Sequence, residues 1–303
     1  MSSWRAPQRV VNLKVTGRLE LGGGQLVVPP GNVWFVEPTG SNSNDGRSWD
    51  FPFLTVAKAI ASAAAGDTVA LGVGDFSEAA ITIPRALRGL TIIGHSGRGG
   101  SAIATSTTNG TALTNLANDV SLINVGLAGD GTGGGLTNYG DRLRGHGCKI
   151  EGGTWPLIVT LGTVAQIAAL THGKGADVLF DDCEFCWAAN CVRLVASDYG
   201  AVTQSRFRNC KFHNFTASAF EESGGSVNIR FRNLEIGNCA FDDNEGGAAP
   251  TKYISLDDDN GNDGIVHDCS FPTALAGGLN LVSTALHWIG NRHSGGISTG
   301  QPS

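Results

Sequence analysis
Thiols and carboxylates are the residues of this chain whose spacing could support chemistry. Cys183-Glu-Phe-Cys186 has CxxC spacing, with Cys191 close behind. Thiolates so spaced serve zinc and redox sites. No second CxxC or CxxH pair follows at finger spacing, so no metal is expected there. Asp257-Asp-Asp259-Asn-Gly261-Asn-Asp263 gathers carboxylates as a calcium loop does, but lacks the EF-hand order. Asp257, Asp259 and Asp263 therefore read as an acidic turn, with a calcium loop as the weaker alternative. A glycosidase needs two carboxylates about 5–10 Å apart. Glu221-Glu222 and Asp242-Asp243 are the weak candidates for such a pair. No repeated Asp is seen on one inter-coil face with Arg or Lys beside it, so these four read as solvated turn charges. His146, His172, His213, His267, His287 and His293 share no spacing and read as surface or turn residues. No catalytic residue, metal or cofactor is expected.

The elements that would position such groups announce themselves by repetition. Phe180-Asp-Asp-Cys183-Glu-Phe185, Phe207-Arg-Asn-Cys210-Lys-Phe212, Ile236-Gly-Asn-Cys239-Ala-Phe241 and Val266-His-Asp-Cys269-Ser-Phe271 share one frame, with cysteines 27, 29 and 30 residues apart. Self-similarity at that period marks a solenoid, propeller or array. Cys and Phe two apart point to one face of a strand. The Asp or Asn before each Cys tolerates the left-handed backbone region. Each unit is predicted to be a strand, a one-residue bend and a second strand with Cys and Phe inside. Cys183, Cys210, Cys239 and Cys269 then form one interior column, and Phe185, Phe212, Phe241 and Phe271 another. Val125 and Cys148 extend the cysteine column upstream, and Gly94 reads as an earlier bend. About seven rungs at 4.8 Å give a rod on the order of 30 Å long. The cysteines are expected to be free thiols, buried as small hydrophobes. Since Cys183 faces in, Cys186 should face the other way.

Charged residues make up 16% of the 303, Gly accounts for 44, and the net charge is −6. High glycine and low charge suit short strands and turns. The acidic balance argues against nucleic acid as a partner. No apolar run reaches 18 residues, so no membrane partner is expected, and no leader is visible at the start.

In chain order, residues 1–30 read as a hairpin arm carrying Arg5, Arg9, Lys14 and Arg18, with a Gly22-Gly23-Gly24 turn. The arm either lies on the main body or attaches to an acidic partner. Residues 31–66 hold a strand, a polar loop and a capping helix. Residues 67–275 are the coils. Residues 276–303 are a C-terminal cap, with Leu279–Ile289 covering the stack or pairing with another subunit, and then a loose tail.

The run Trp34-Phe35-Val36-Glu-Pro-Thr-Gly, then Asn44-Asp45-Gly46, Trp49, Pro52-Phe53-Leu54-Thr55-Val56-Ala-Lys58-Ala-Ile60 and Gly66-Asp67-Thr68-Val69 resembles the opening of right-handed parallel β-helix proteins of the pectate-lyase-like superfamily. The resemblance covers about residues 31–271. It implies an all-β, right-handed parallel β-helix with a short helix plugging its N-terminal end. Such a plug covers apolar interior and unpaired strand edge. With the hairpin arm in front, the segment is most similar to virion β-helix proteins of tailed bacteriophages: capsid-decorating proteins, tailspikes and fibres.

Two functions follow as expectations. The first is a non-enzymatic structural protein of a phage particle, a homotrimer bound through residues 1–30 to capsid or tail proteins. It would sit in the virion and could contact host surface polysaccharide. On this reading the protein should not degrade polysaccharide. The alternative is a tailspike-like hydrolase, lyase or glycan receptor binder. That alternative would need aromatics and paired acids along one sheet, and the chain has only 6 Trp and 3 Tyr.

Overall fold
The computed structural model describes residues 19–21, 24–26, 31–95, 100–153, 157–160, 176–195, 200–223, 229–242, 253–256, 263–272, 286–293 and 296–298. The chain winds as a right-handed parallel β-helix. Sheet A is a single parallel stack of ten strands, from Val33–Val36 through Thr68–Leu71, Thr91–Gly94 and onward to Gly264–His267 and Leu286–Ile289. Sheet B carries the return of each coil in two columns. The first runs through Gly126–Gly129 and Lys149–Gly152, the second through Leu136–Asn138 and Leu157–Thr160. Two long strands, Glu184–Val195 and Lys211–Ser223, cross both columns. Among the described residues no helix is long and apolar enough to cross a membrane.

The corner after sheet A is built as the repeat requires. Asn124, Gly147, Asp182, Asn209, Asn238, Asp268 and Gly290 all have φ between 50° and 67°. Gly94 does not join them; it is the last residue of its strand. A Cβ there would sit 2.2 Å from the Asn124 carbonyl oxygen, so close approach of the next coil is what requires glycine. A second left-handed column stands at the corner before sheet A: Gly89, Asp119, Arg142, Asp177, Gln204 and Asn233. Its mixed identities hid it from the sequence.

The residue after each bend points into the core. Cys148, Cys183, Cys210, Cys239 and Cys269 are buried free thiols, and Val125 is buried with them. They sit on consecutive coils, because Lys211 N donates to Cys183 O, Ala240 N to Cys210 O and Ser270 N to Cys239 O. Cysteine suits this place. Its thiol donates back across the bend to the carbonyl two residues earlier, from Cys183 to Asp181 at 3.3 Å and from Cys210 to Arg208 at 3.1 Å. Burial pushes the Cys210 thiol well up, which keeps it a neutral donor. The phenylalanines stack beside them. Phe185–Phe212, Phe212–Phe241 and Phe241–Phe271 centroids are 5.1, 5.1 and 4.6 Å apart, with near-parallel planes.

The N-terminal plug is the helix α1, Val56–Ser62. Thr55 caps it through Lys58 N, and the Glu78 carboxylate accepts from Val56 N and Ala57 N. Asp67 ties plug to strand, accepting from Asn32 N at 2.7 Å, Trp34 Nε1 at 2.8 Å and Ala64 N at 2.8 Å. At the other end the coils continue beyond residue 275. Leu286–Ile289 is itself the tenth strand of sheet A, with Leu286 and Trp288 turned inward, rather than a cover laid over the stack. In the expected arm, Leu19–Leu21 pairs antiparallel with Gly24–Leu26.

Candidate functional site
Alternation along the first column of sheet B decides which side chains leave the core. The residues one and three places after each column cysteine point outward. The first set is Lys149, Glu184 and Lys211; the second is Glu151, Cys186, His213 and Asp242. Register places Glu151, Cys186 and His213 side by side on three adjacent strands. The two rows then pair. His213 Nε2 lies 2.9 Å from Glu184 Oε1, Lys149 Nζ 2.5 Å from Glu151 Oε2, and Lys211 Nζ 2.9 Å from Asp242 Oδ2. The outer face of the first column thus carries alternating acids and bases, a pattern that a search for repeated Asp does not find. The structure also corrects the reading of His213 as a surface or turn residue, since it lies in a strand with its side chain largely covered.

Cys186 lies at the centre of this cluster. It faces away from the cysteine column, as its spacing from Cys183 requires, yet it is 0% exposed. Its Sγ lies 3.7 Å from Glu151 Oε2 and 3.8 Å from Glu184 Oε1. Burial pushes the thiol up; Lys149 opposes the rise and the two carboxylates add to it. A thiol held neutral in this way is a poor nucleophile. The chemistry available to the cluster is proton transfer by the Glu184–His213 couple, in which the carboxylate orients the imidazole.

Trp187 stands next in the chain, at the corner between the two columns. It is 59% exposed and has φ 57°. A bulky side chain in the left-handed region carries a cost on the order of 1–2 kcal/mol. One coil later the same corner is taken by Asn214, a residue type suited to it. Backbone preference does not account for tryptophan here. An exposed indole beside a carboxylate–imidazole couple is what sugar recognition uses, an apolar face next to polar groups. A second aromatic cleft, near the N-terminal end, has a volume of about 380 Å³ and is lined by Glu37, Trp49 and His95 among others.

Among the described residues, Glu221 and Asp242 take separate basic partners. Glu221 lies on the second column, 3.5 Å from Arg193. Asp242 lies on the first column with Lys211, across the Asn214 corner. Glu222 is in the same strand as Glu221, opposite Leu194. The Asp263 carboxylate accepts from Asn233 N, and Leu234 N donates to its carbonyl at 3.0 Å, so it joins two coils. Asp243, Asp257, Asp259 and the arm residues Arg5, Arg9, Lys14 and Arg18 lie outside the described residues. Cys191 is in the core, its thiol donating to the Phe185 carbonyl at 3.6 Å. The cluster itself was visible in principle. Counting three places on from Cys148, Cys183, Cys210 and Cys239 returns Glu151, Cys186, His213 and Asp242.

Among known proteins, no family model matches the chain and no curated protein matches it. Solved structures do. The pectin methylesterase from carrot aligns with a TM-score of 0.60 at 13% identity, over 92% of this chain and 88% of that one. Pectate lyase Pel9A gives 0.60 at 11%, over 90% and 78%. The pectin methylesterase from Aspergillus niger gives 0.58 at 14%, over 88% and 87%. At these identities the likeness establishes the parallel β-helix fold. None of these three is a virion protein.

Proposed function
We propose that the chain is a polysaccharide-active protein whose glycan lies across the outer face of sheet B, over Glu184, His213 and Trp187. One observation carries this reading: the Glu184–His213 couple sits beside an exposed tryptophan held in an unfavourable backbone conformation. The names of the structural neighbours, pectin methylesterase and pectate lyase, support it and favour the glycan-active alternative over the non-enzymatic one. In this reading Trp187 stacks on a sugar ring. His213, oriented by Glu184, moves the proton in hydrolysis of the glycan or of an ester it carries. The test is a panel of plant and bacterial polysaccharides. Binding is expected by affinity electrophoresis and lost in Trp187→Ala. Product release is expected and lost in Glu184→Gln. A protein that neither retards on any polysaccharide nor releases product refutes the proposal.

Attachment to a phage particle, as a trimer held through residues 1–30, is a separate proposal. The antiparallel hairpin of Leu19–Leu21 and Gly24–Leu26 supports it, and a chain lacking residues 1–30 should keep its β-helix but lose the particle.

A further inference from the structure
We propose that Glu184, Cys186 and His213 form a binding site for a zinc-class divalent cation. This rests on the reading of the same cluster as the seat of chemistry; with the cation bound, His213 and Glu184 would serve as its ligands rather than as a proton-transfer couple.

The donor atoms offer one sulfur, one imidazole nitrogen and one carboxylate oxygen, all within 4.8 Å of one another. Glu184 Oε1 lies 3.8 Å from Cys186 Sγ and 2.9 Å from His213 Nε2, and Glu151 Oε2 lies 3.7 Å from the thiol. Tetrahedral zinc, with bonds of about 2.3 Å to sulfur and about 2.0 Å to nitrogen or oxygen, separates its donor atoms by roughly 3.3–3.6 Å. The cluster is already close to that spacing. Its residues stand on two hydrogen-bonded strands in fixed register, so the donors are presented by rigid elements rather than by a loop.

The placement of Cys186 points the same way. The five column cysteines face an apolar core and bond to backbone carbonyls. Cys186 faces outward among carboxylates and is still fully buried, which packing of an apolar residue does not explain. The charges also balance, since one thiolate and one carboxylate neutralise a divalent ion, while Lys149 pairs with Glu151. Sulfur and imidazole ligands select zinc and its softer relatives over calcium or magnesium, which take oxygen.

The test uses the full chain, stripped with a chelator and titrated with Co²⁺ and then Zn²⁺. Binding of one Co²⁺ should produce tetrahedral d–d bands and a thiolate-to-metal charge-transfer band, both displaced by Zn²⁺. Zn²⁺ should also raise the thermal midpoint. Cys186→Ser should abolish the charge-transfer band, and His213→Ala should weaken binding by about tenfold or more. Cys191→Ala should leave both unchanged, and circular dichroism of each variant checks its fold. No charge-transfer band in the native chain, or one that survives Cys186→Ser, overturns the proposal. Trp187→Ala separates the two readings, because it should lose polysaccharide and keep the metal. Metal failure with polysaccharide retained overturns this inference alone.

Discussion

The side-chain oxygen of Asn291 accepts the amide hydrogen of Cys269 at 2.9 Å. One coil earlier the Cys269 thiol faces the Cys239 amide at 3.4 Å. Asn291 thus closes the cysteine column with a stronger acceptor, and its nitrogen donates to the Val266 carbonyl at 2.9 Å. At the last coil no further cysteine follows, and the amide serves both backbone groups at once. Asn291→Ala should therefore destabilise the chain by about 1–3 kcal/mol by leaving these groups unpaired in the core. Asn291→Cys, which restores a weak acceptor, should cost less. Denaturant unfolding of the two variants distinguishes them.

Asp67 gives an acid-dependent term. Burial alone raises its carboxyl, but hydrogen bonds from Ala64 N, the Trp34 indole and Asn32 outweigh that and hold it below the ordinary aspartate value. A depressed folded value means the contribution is complete above about pH 4, the unfolded value, and is lost as pH falls through the folded one. Thermal midpoints should fall on acidification in that window. Asp67→Asn should lower stability near neutrality by about 1–3 kcal/mol and flatten the acid limb. An equally steep limb in the variant would count against Asp67 as its source.

Gly145 is matched to Phe180. The two pair in sheet A, and a Cβ on Gly145 would sit 2.3 Å from Phe180 Cδ1. The upper aromatic stack begins at this step, with Phe180 and Phe207 centroids 5.8 Å apart. Gly145→Ala should cost about 1–3 kcal/mol by overpacking. Phe180→Leu should relieve part of it, so the double variant should be more stable than the sum of the singles predicts. Strict additivity in unfolding free energy would refute the contact.

His267 sits between Asp268 at 2.9 Å and Glu235 at 3.5 Å. Its hydrogen bond to Asp268 raises its pKa, burial opposes this, and Glu235 adds to the rise. A raised folded value contributes stability fully below about pH 6.5, and that contribution fades as pH climbs through the folded value. An NMR titration should place His267 above the ordinary histidine midpoint, and Glu235→Gln should bring it down. No movement in the variant would exclude Glu235 as a cause.

The fold was legible because one frame repeats. Cys183, Cys210, Cys239 and Cys269 share a bend, a pointing direction and a backbone step, so each confirmed the others. Positions without repeated identity were not legible. The left-handed column of Asp119, Arg142, Asp177, Gln204 and Asn233 mixes charged and neutral residues. The buried Asn115 and Asn138 pair, with Asn115 Nδ2 donating to Asn138 Oδ1 at 2.8 Å, spans only two coils. The candidate site fell between these cases. Glu184, Cys186 and His213 differ in type, and only strand register brings the histidine of one coil to the acid of the preceding one.

The uniform step between coils has a geometric consequence. Lys211 hangs from Cys183, Ala240 from Cys210 and Ser270 from Cys239 by the same hydrogen bond. Excising Lys211–Cys239 would join Cys210 directly to Ala240 and leave the inward and outward positions of the described flanking strands in phase. The molecule is a ruler graduated in coils. Its length changes by whole divisions of about 4.8 Å, and whatever is fastened at its two ends moves apart or together by that increment.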